Sequence, residues 1–135
     1  MIDKIRDNLF LGARKDLEEK PLKDLGITCI FNVANDVDDK VKGFRSEKMG
    51  FGDNKYEASI FGQQSADRLK ELLKEGEIVF VHCKAGKSRS PHVIALALSE
   101  IEDKDYYEIF DELREKRPQI LPISLQEEID HGRNF

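Results

Sequence analysis

The hydrophobic positions of this chain fall into short continuous runs and helical stripes that alternate along it. Ile2 to Leu11 reads as two short strands around the turn Arg6-Asp7-Asn8, closed by Gly12. A polar stretch from Lys15 to Leu25 predicts a short helix, with Pro21 near its start or at a kink and Gly26 as its stop. Ile27 to Val33 is a near-continuous apolar, β-branched run and predicts a buried central strand. Residues 34–43 are acidic and loop-like, and Phe44 to Met49 is a weak edge-strand candidate. Glycines 50 and 52 break regularity and place Asp53 in a loop. Ser65 to Lys74 is amphipathic, with Leu69, Leu72 and Leu73 on one face and Gly76 as terminator. Ile78 to His82 predicts a second buried strand, and Pro91 to Ser99 is apolar nearly all round, as a buried central helix would be. Tyr106, Ile109, Phe110 and Leu113 recur at helical spacing before Pro118, and a last helix is predicted after Pro122.

Strands alternating with helices argue for an α/β fold: a central, mostly parallel sheet of four to five strands with helices on both faces. The chain has 135 residues and no repeat or low-complexity linker, so a single domain over 1–135 is expected.

Charge narrows the function classes. With 36% charged residues and a net charge of −5, nothing global points to nucleic acid or an anionic membrane, so a bound anion needs a local positive site. Met1 to Asp7 is too charged for the apolar part of a secretory leader, and no apolar run is long enough to span a bilayer. Two cysteines, Cys29 and Cys83, are too few for a disulfide framework and lack metal-ligand spacing. The expectation is a cytoplasmic, monomeric protein with a working thiol and no metal or cofactor.

One stretch carries chemistry: Val81-His82-Cys83-Lys84-Ala85-Gly86-Lys87-Ser88-Arg89-Ser90-Pro91 joins the second buried strand to the buried helix. A strand, tight loop and helix start in succession aim backbone N–H groups and the positive helix end at one point, which makes an anion cradle. Gly86 permits a turn that a side chain would obstruct, and Pro91 suits a first helical turn. Arg89 can bridge two phosphate oxygens with its planar fork. Cys83 sits at the floor, where the amides of residues 84–89 and Arg89 favour the thiolate, a nucleophile aimed at phosphorus. Ser90 is placed to hydrogen-bond the sulfur.

His82-Cys83-x-x-Gly86-x-x-Arg89-Ser90 resembles the signature loop of the protein tyrosine phosphatase superfamily, and the short chain is similar to its dual-specificity branch. Asn8 to Gly12, Leu25 to Val33 and Lys116-Arg117-Pro118 are similar to that branch as well. The resemblance implies a cysteine-dependent phosphomonoesterase acting on phosphotyrosine, phosphoserine or phosphothreonine in proteins. Cys83 is then the nucleophile, and Arg89 with the backbone of Lys84, Ala85, Gly86, Lys87 and Ser88 binds phosphate. His82 orients the loop, and Ser90 assists departure of the sulfur. It also implies an acid in a loop about thirty residues before the cysteine, which matches Asp53; Asp36, Asp38 and Asp39 are read as a solvated acidic turn. The closing Pro122-Ile123-Ser124-Leu125-Gln126 departs from the branch's usual continuation.

Lys84 and Lys87 resemble the loops of members acting on phosphoinositides or other phospholipids, which leaves a lipid substrate as an alternative. A phospho-ligand binding module and a sulfurtransferase or arsenate reductase are rivals from other classes. His92 and His131 read as ordinary surface or helix residues; Cys29 is read as packing in the central sheet, with a regulatory disulfide to Cys83 as the alternative because central strands neighbour each other.

Overall fold

The structure, a computed structural model, describes residues 1–38 and 41–123. Five strands, β1 (Asp3–Arg6), β2 (Leu9–Ala13), β3 (Cys29–Ala34), β4 (Arg45–Phe51) and β5 (Val79–Cys83), form one sheet in the order β1-β2-β5-β3-β4. Only the β1–β2 pair is antiparallel. β2 and β5 are buried along their whole lengths, as expected of strands covered on both faces.

Alternation along the strands sorts side chains to two cores. Phe10, Ile30 and Phe80 meet Leu22 of α1 (Glu19–Asp24) on one face. Leu11, Phe31, Val33, Val79 and Val81 face the larger core under α2 (Lys55–Lys74), α3 (Arg89–Glu102) and α4 (Tyr106–Lys116). The expected sheet with helices on both faces is present. α3 lies over β2, β3 and β5, which accounts for its apolar circumference.

Three boundaries differ from the sequence reading. α1 begins at Glu19 rather than near Lys15, where a 3-10 turn over Arg14–Asp16 intervenes, and Pro21 falls in its first turn. β4 runs through Gly50 to Phe51. A Cβ at Gly50 would lie 2.3 Å from the Ala34 carbonyl oxygen, so the glycine allows close backbone approach instead of ending the strand. α2 starts at Lys55, ten residues before the predicted Ser65. Its start is set by a reciprocal cap: Glu57 N donates to Asn54 Oδ1 at 2.8 Å, and the Glu57 carboxylate accepts from Gly52 N at 2.7 Å and Asn54 Nδ2 at 3.1 Å. The helix predicted after Pro122, with Gln126 and His131, lies outside the described residues, as does Asp39.

Candidate active site

β5 ends at Cys83 and α3 begins at Arg89, so residues 84–88 form the tight connection at the C-terminal edge of the parallel strands. Every carbonyl in this connection is taken by the surrounding protein. Lys84 O accepts from Arg14 N at 3.1 Å, Lys87 O from Leu121 N at 2.8 Å, and Ser88 O from His92 N at 3.0 Å. Gly86 O accepts from Arg117 Nε at 2.8 Å, and Ala85 O from Arg117 Nη2 at 3.5 Å. In a trans peptide the N–H points opposite to the C=O of the same plane. Carbonyls of 84–88 anchored outward therefore turn the N–H groups of Ala85, Gly86, Lys87, Ser88 and Arg89 toward the concave side. Gly86 holds φ +67°, and a Cβ there would sit 2.6 Å from Gly12 O and 2.7 Å from Arg117 Nη2.

Inside this curl is a cavity of about 470 Å³ lined by Cys83, Lys84, Ala85, Lys87, Ser88 and Arg89 of the loop with Asp36 and Asp53. Cys83 is 2% exposed, and its Sγ lies 3.2 Å from Ser90 Oγ, the contact expected of that serine. His82 is buried, stacked on Phe80, with Nδ1 3.2 Å from the Cys83 carbonyl oxygen. Lys84 and Lys87 are exposed at the rim. Asp53 reaches the site from the β4–α2 connection, where Ser88 Oγ donates to its Oδ1 at 2.7 Å.

Arg89 is buried and held from one side only. Its Nη1 donates to Asp36 Oδ1 at 2.9 Å and to the Phe51 carbonyl at 3.0 Å. Its buried Nε meets no acceptor among the described residues. The anchored Nη1 leaves the Nε–Nη2 edge as the bidentate face for an oxyanion. Asp36 thus corrects the reading of a merely solvated acidic turn. Burial pulls its carboxyl upward, but the hydrogen bond and charge of Arg89 outweigh this and hold it below the ordinary carboxylate value. The turn carrying it is fixed by buried Asn32, whose Nδ2 donates to Val37 O at 2.7 Å and whose Oδ1 accepts from Ala34 N at 2.9 Å. Asp38, by contrast, points to Lys48 at 3.0 Å and fits the solvated reading.

Cys29 packs in the central sheet, as expected, and the alternative of a disulfide is closed by the register. Cys29 is opposite Val79 in the β3–β5 register, four residues from Cys83 along β5. At ~3.3 Å per residue the two α-carbons are roughly 13 Å apart, too far for a disulfide. Burial, followed by the Glu77 and Glu47 charges, pushes the Cys29 thiol up to about 12. His92 is a residue of α3, one of the two places read for it, and it is partly buried there: Nδ1 pairs with Tyr106 Oη at 2.8 Å between α3 and α4, and burial lowers its pKa to about 4.

The sequence reading had no role for Asp36, Arg117 or Asp3. Only Asn32-x-x-x-Asp36 after a buried strand and the Arg117-Pro118 pair offered a signal, and neither says what the side chains meet.

Comparison with known proteins gives a consistent picture. The family model for the dual specificity phosphatase catalytic domain matches residues 9–131. A probable dual specificity protein phosphatase of Dictyostelium discoideum is 34% identical over 127 residues, spanning 90% of this chain and 45% of that protein. Human dual specificity protein phosphatase 1 is 29% identical over 117 residues, spanning 84% of this chain and 32% of its own length. The chain therefore spans less than half the length of these curated relatives. The solved human tyrosine phosphatase-like serine/threonine/tyrosine-interacting protein superposes with a TM-score of 0.76 at 26% identity, covering 97% of this chain and 95% of the other.

Proposed function

Since this chain belongs to the dual specificity phosphatase family, we propose that it hydrolyses phosphate monoesters on proteins through a phosphocysteine formed on Cys83. The observation that carries the reading is the curl of inward N–H groups and the Arg89 edge around the Cys83 sulfur. Such donors are complementary to the three equatorial oxygens of a phosphoryl group in flight.

The Cys83 thiolate attacks phosphorus and the ester P–O bond breaks. Asp53 gives its proton to the leaving oxygen. Asp36 is a poor choice for that step, because Arg89 holds it ionised. Water then attacks the phosphocysteine and Asp53 as carboxylate takes its proton. The S–P bond breaks, inorganic phosphate departs, and Ser90 hydrogen-bonds the restored thiolate. The protein supplies a nucleophile, a proton carrier and fixed dipoles, all from its own side chains and backbone.

The cavity lining contains no aromatic wall among the described residues, which supports acceptance of phosphoserine and phosphothreonine beside phosphotyrosine. The relatives are named as protein phosphatases, which favours phosphoprotein over phospholipid substrates. No helix among the described residues is long and apolar enough to cross a membrane. A reducing compartment such as the cytoplasm suits the thiol chemistry.

The test is hydrolysis of p-nitrophenyl phosphate with chelator and reductant present, followed by phosphopeptides set against phosphoinositides. Turnover by the wild type that vanishes in Cys83→Ser supports the reading. A wild type that binds inorganic phosphate without turning over any ester sinks it and leaves the binding module.

A further inference from the structure

Arg117 follows the last turn of α4 and is 2% exposed, yet it carries a full charge that the mechanism above does not use. A buried guanidinium is tolerated only when paired and hydrogen-bonded. One side of this one is satisfied by the N-terminal segment: Nη1 donates to Asp3 Oδ2, at the start of β1, at 2.8 Å and to the Met1 carbonyl at 2.7 Å. Its other side is spent on the anion loop, through Nε to Gly86 O and Nη2 toward Ala85 O.

We propose that Arg117 is the positioning residue for the anion-binding loop, with Asp3 holding it in place. This rests on the phosphatase reading only for where the anion sits. The Ala85 carbonyl shares its peptide plane with the Gly86 N–H, and the Gly86 carbonyl shares its plane with the Lys87 N–H. Fixing both carbonyls fixes the direction of two cavity-facing donors. A cation on a carbonyl also polarises the peptide, which strengthens the N–H opposite as a donor. Gly86 makes the arrangement possible, since a Cβ there would collide with both Arg117 Nη2 and Gly12 O. Two loop peptides are thus aimed by a residue that lies outside the cavity lining.

A purely structural role would tie the end of α4 to β1 and matter for folding alone. The two roles separate in the affinity of the folded protein for inorganic phosphate, measured by calorimetry on the full chain with melting curves alongside. In Arg117→Met the phosphate Kd is expected to weaken roughly 10- to 100-fold and kcat/KM for p-nitrophenyl phosphate to fall about 10²-fold, the scale of a misplaced reacting geometry. Arg117→Lys, which keeps charge and donors but not the two-sided fork, recovers part of both. Asp3→Asn shifts phosphate affinity in the same direction by less. Folded Arg117→Met with wild-type phosphate affinity overturns the proposal. Should that variant not fold, wild-type affinity in both Arg117→Lys and Asp3→Asn overturns it equally, and weakened affinity in either supports it. A wild type that binds phosphate but turns over nothing fails the phosphatase reading and leaves this comparison of affinities intact.

Discussion

Ser88 holds Asp53: the serine hydroxyl of the anion loop donates 2.7 Å to a carboxylate oxygen carried on a different connection, 35 residues earlier in the chain. The proposed proton carrier is thereby tied to the proposed phosphate loop, and their separation is set by one hydrogen bond. Asp53→Ala is expected to lower kcat by about 10²- to 10⁴-fold on a phosphotyrosine peptide, the usual worth of a positioned acid. The loss on p-nitrophenyl phosphate is expected to be smaller, because its leaving group departs more easily unprotonated. Ser88→Ala leaves the acid in place but loosens it, at a cost of roughly 5-fold in kcat. Equal losses on both substrates in Asp53→Ala would remove Asp53 from the proton transfer.

Asp36 has two opposed effects on Arg89. It anchors Nη1, and it places a negative charge beside the anion site. Asp36→Asn keeps an oxygen acceptor for Nη1 and removes the charge, so inorganic phosphate is expected to bind roughly 2- to 5-fold tighter, a modest gain because the carboxylate is half exposed and screened. Asp36→Ala removes the anchor as well, and kcat is expected to fall. Because the folded carboxyl titrates below the ordinary value of 3.8, the ion pair persists above that value and is lost as pH falls through the lowered one. Calorimetric phosphate titrations of the two variants at pH 6 check the sign.

The Cys29–Val79 register keeps the two thiols apart, which makes oxidation of Cys83 independent of Cys29. Cys29→Ser is expected to leave the rate of inactivation by hydrogen peroxide unchanged, and mass analysis of oxidised wild type is expected to show no bridge joining the peptides of Cys29 and Cys83. Detection of that bridge in folded protein would require β3 and β5 to slip by about four residues.

His92 predicts how stability depends on pH. Its pKa is lowered by burial from 6.5 to about 4, so the folded state disfavours the proton that the unfolded chain accepts. Stability from this site is complete above about pH 6.5 and declines as pH falls toward 4, by up to about 3 kcal/mol. Replacing it by a residue that cannot titrate, His92→Gln, should flatten the fall in Tm between pH 6.5 and 4. A wild-type Tm that is level across that window would show that His92 charges freely in the folded state.

What could be read from the sequence is what short stretches of chain decide for themselves. The strand cores at Ile27–Val33 and Ile78–His82, the buried helix after Pro91 and the tight strand-to-helix loop from Cys83 to Ser90 were all legible, because side-chain alternation, a glycine turn and a helix start act over a few residues. The first half of α2 was not legible from apolar spacing: Tyr56, Ile60 and Phe61 are exposed, and its start depends on the Asn54–Glu57 cap. Only tertiary structure decided which acid meets Arg89 and what holds the back of the loop. Asp36 arrives from the end of β3, 53 residues before Arg89, and Arg117 reaches Gly86 from 31 residues beyond it with Asp3 behind. Charged side chains in loops look alike in a sequence. Their pairing follows from which loop ends the sheet order brings to one edge, and burial then makes that pairing obligatory.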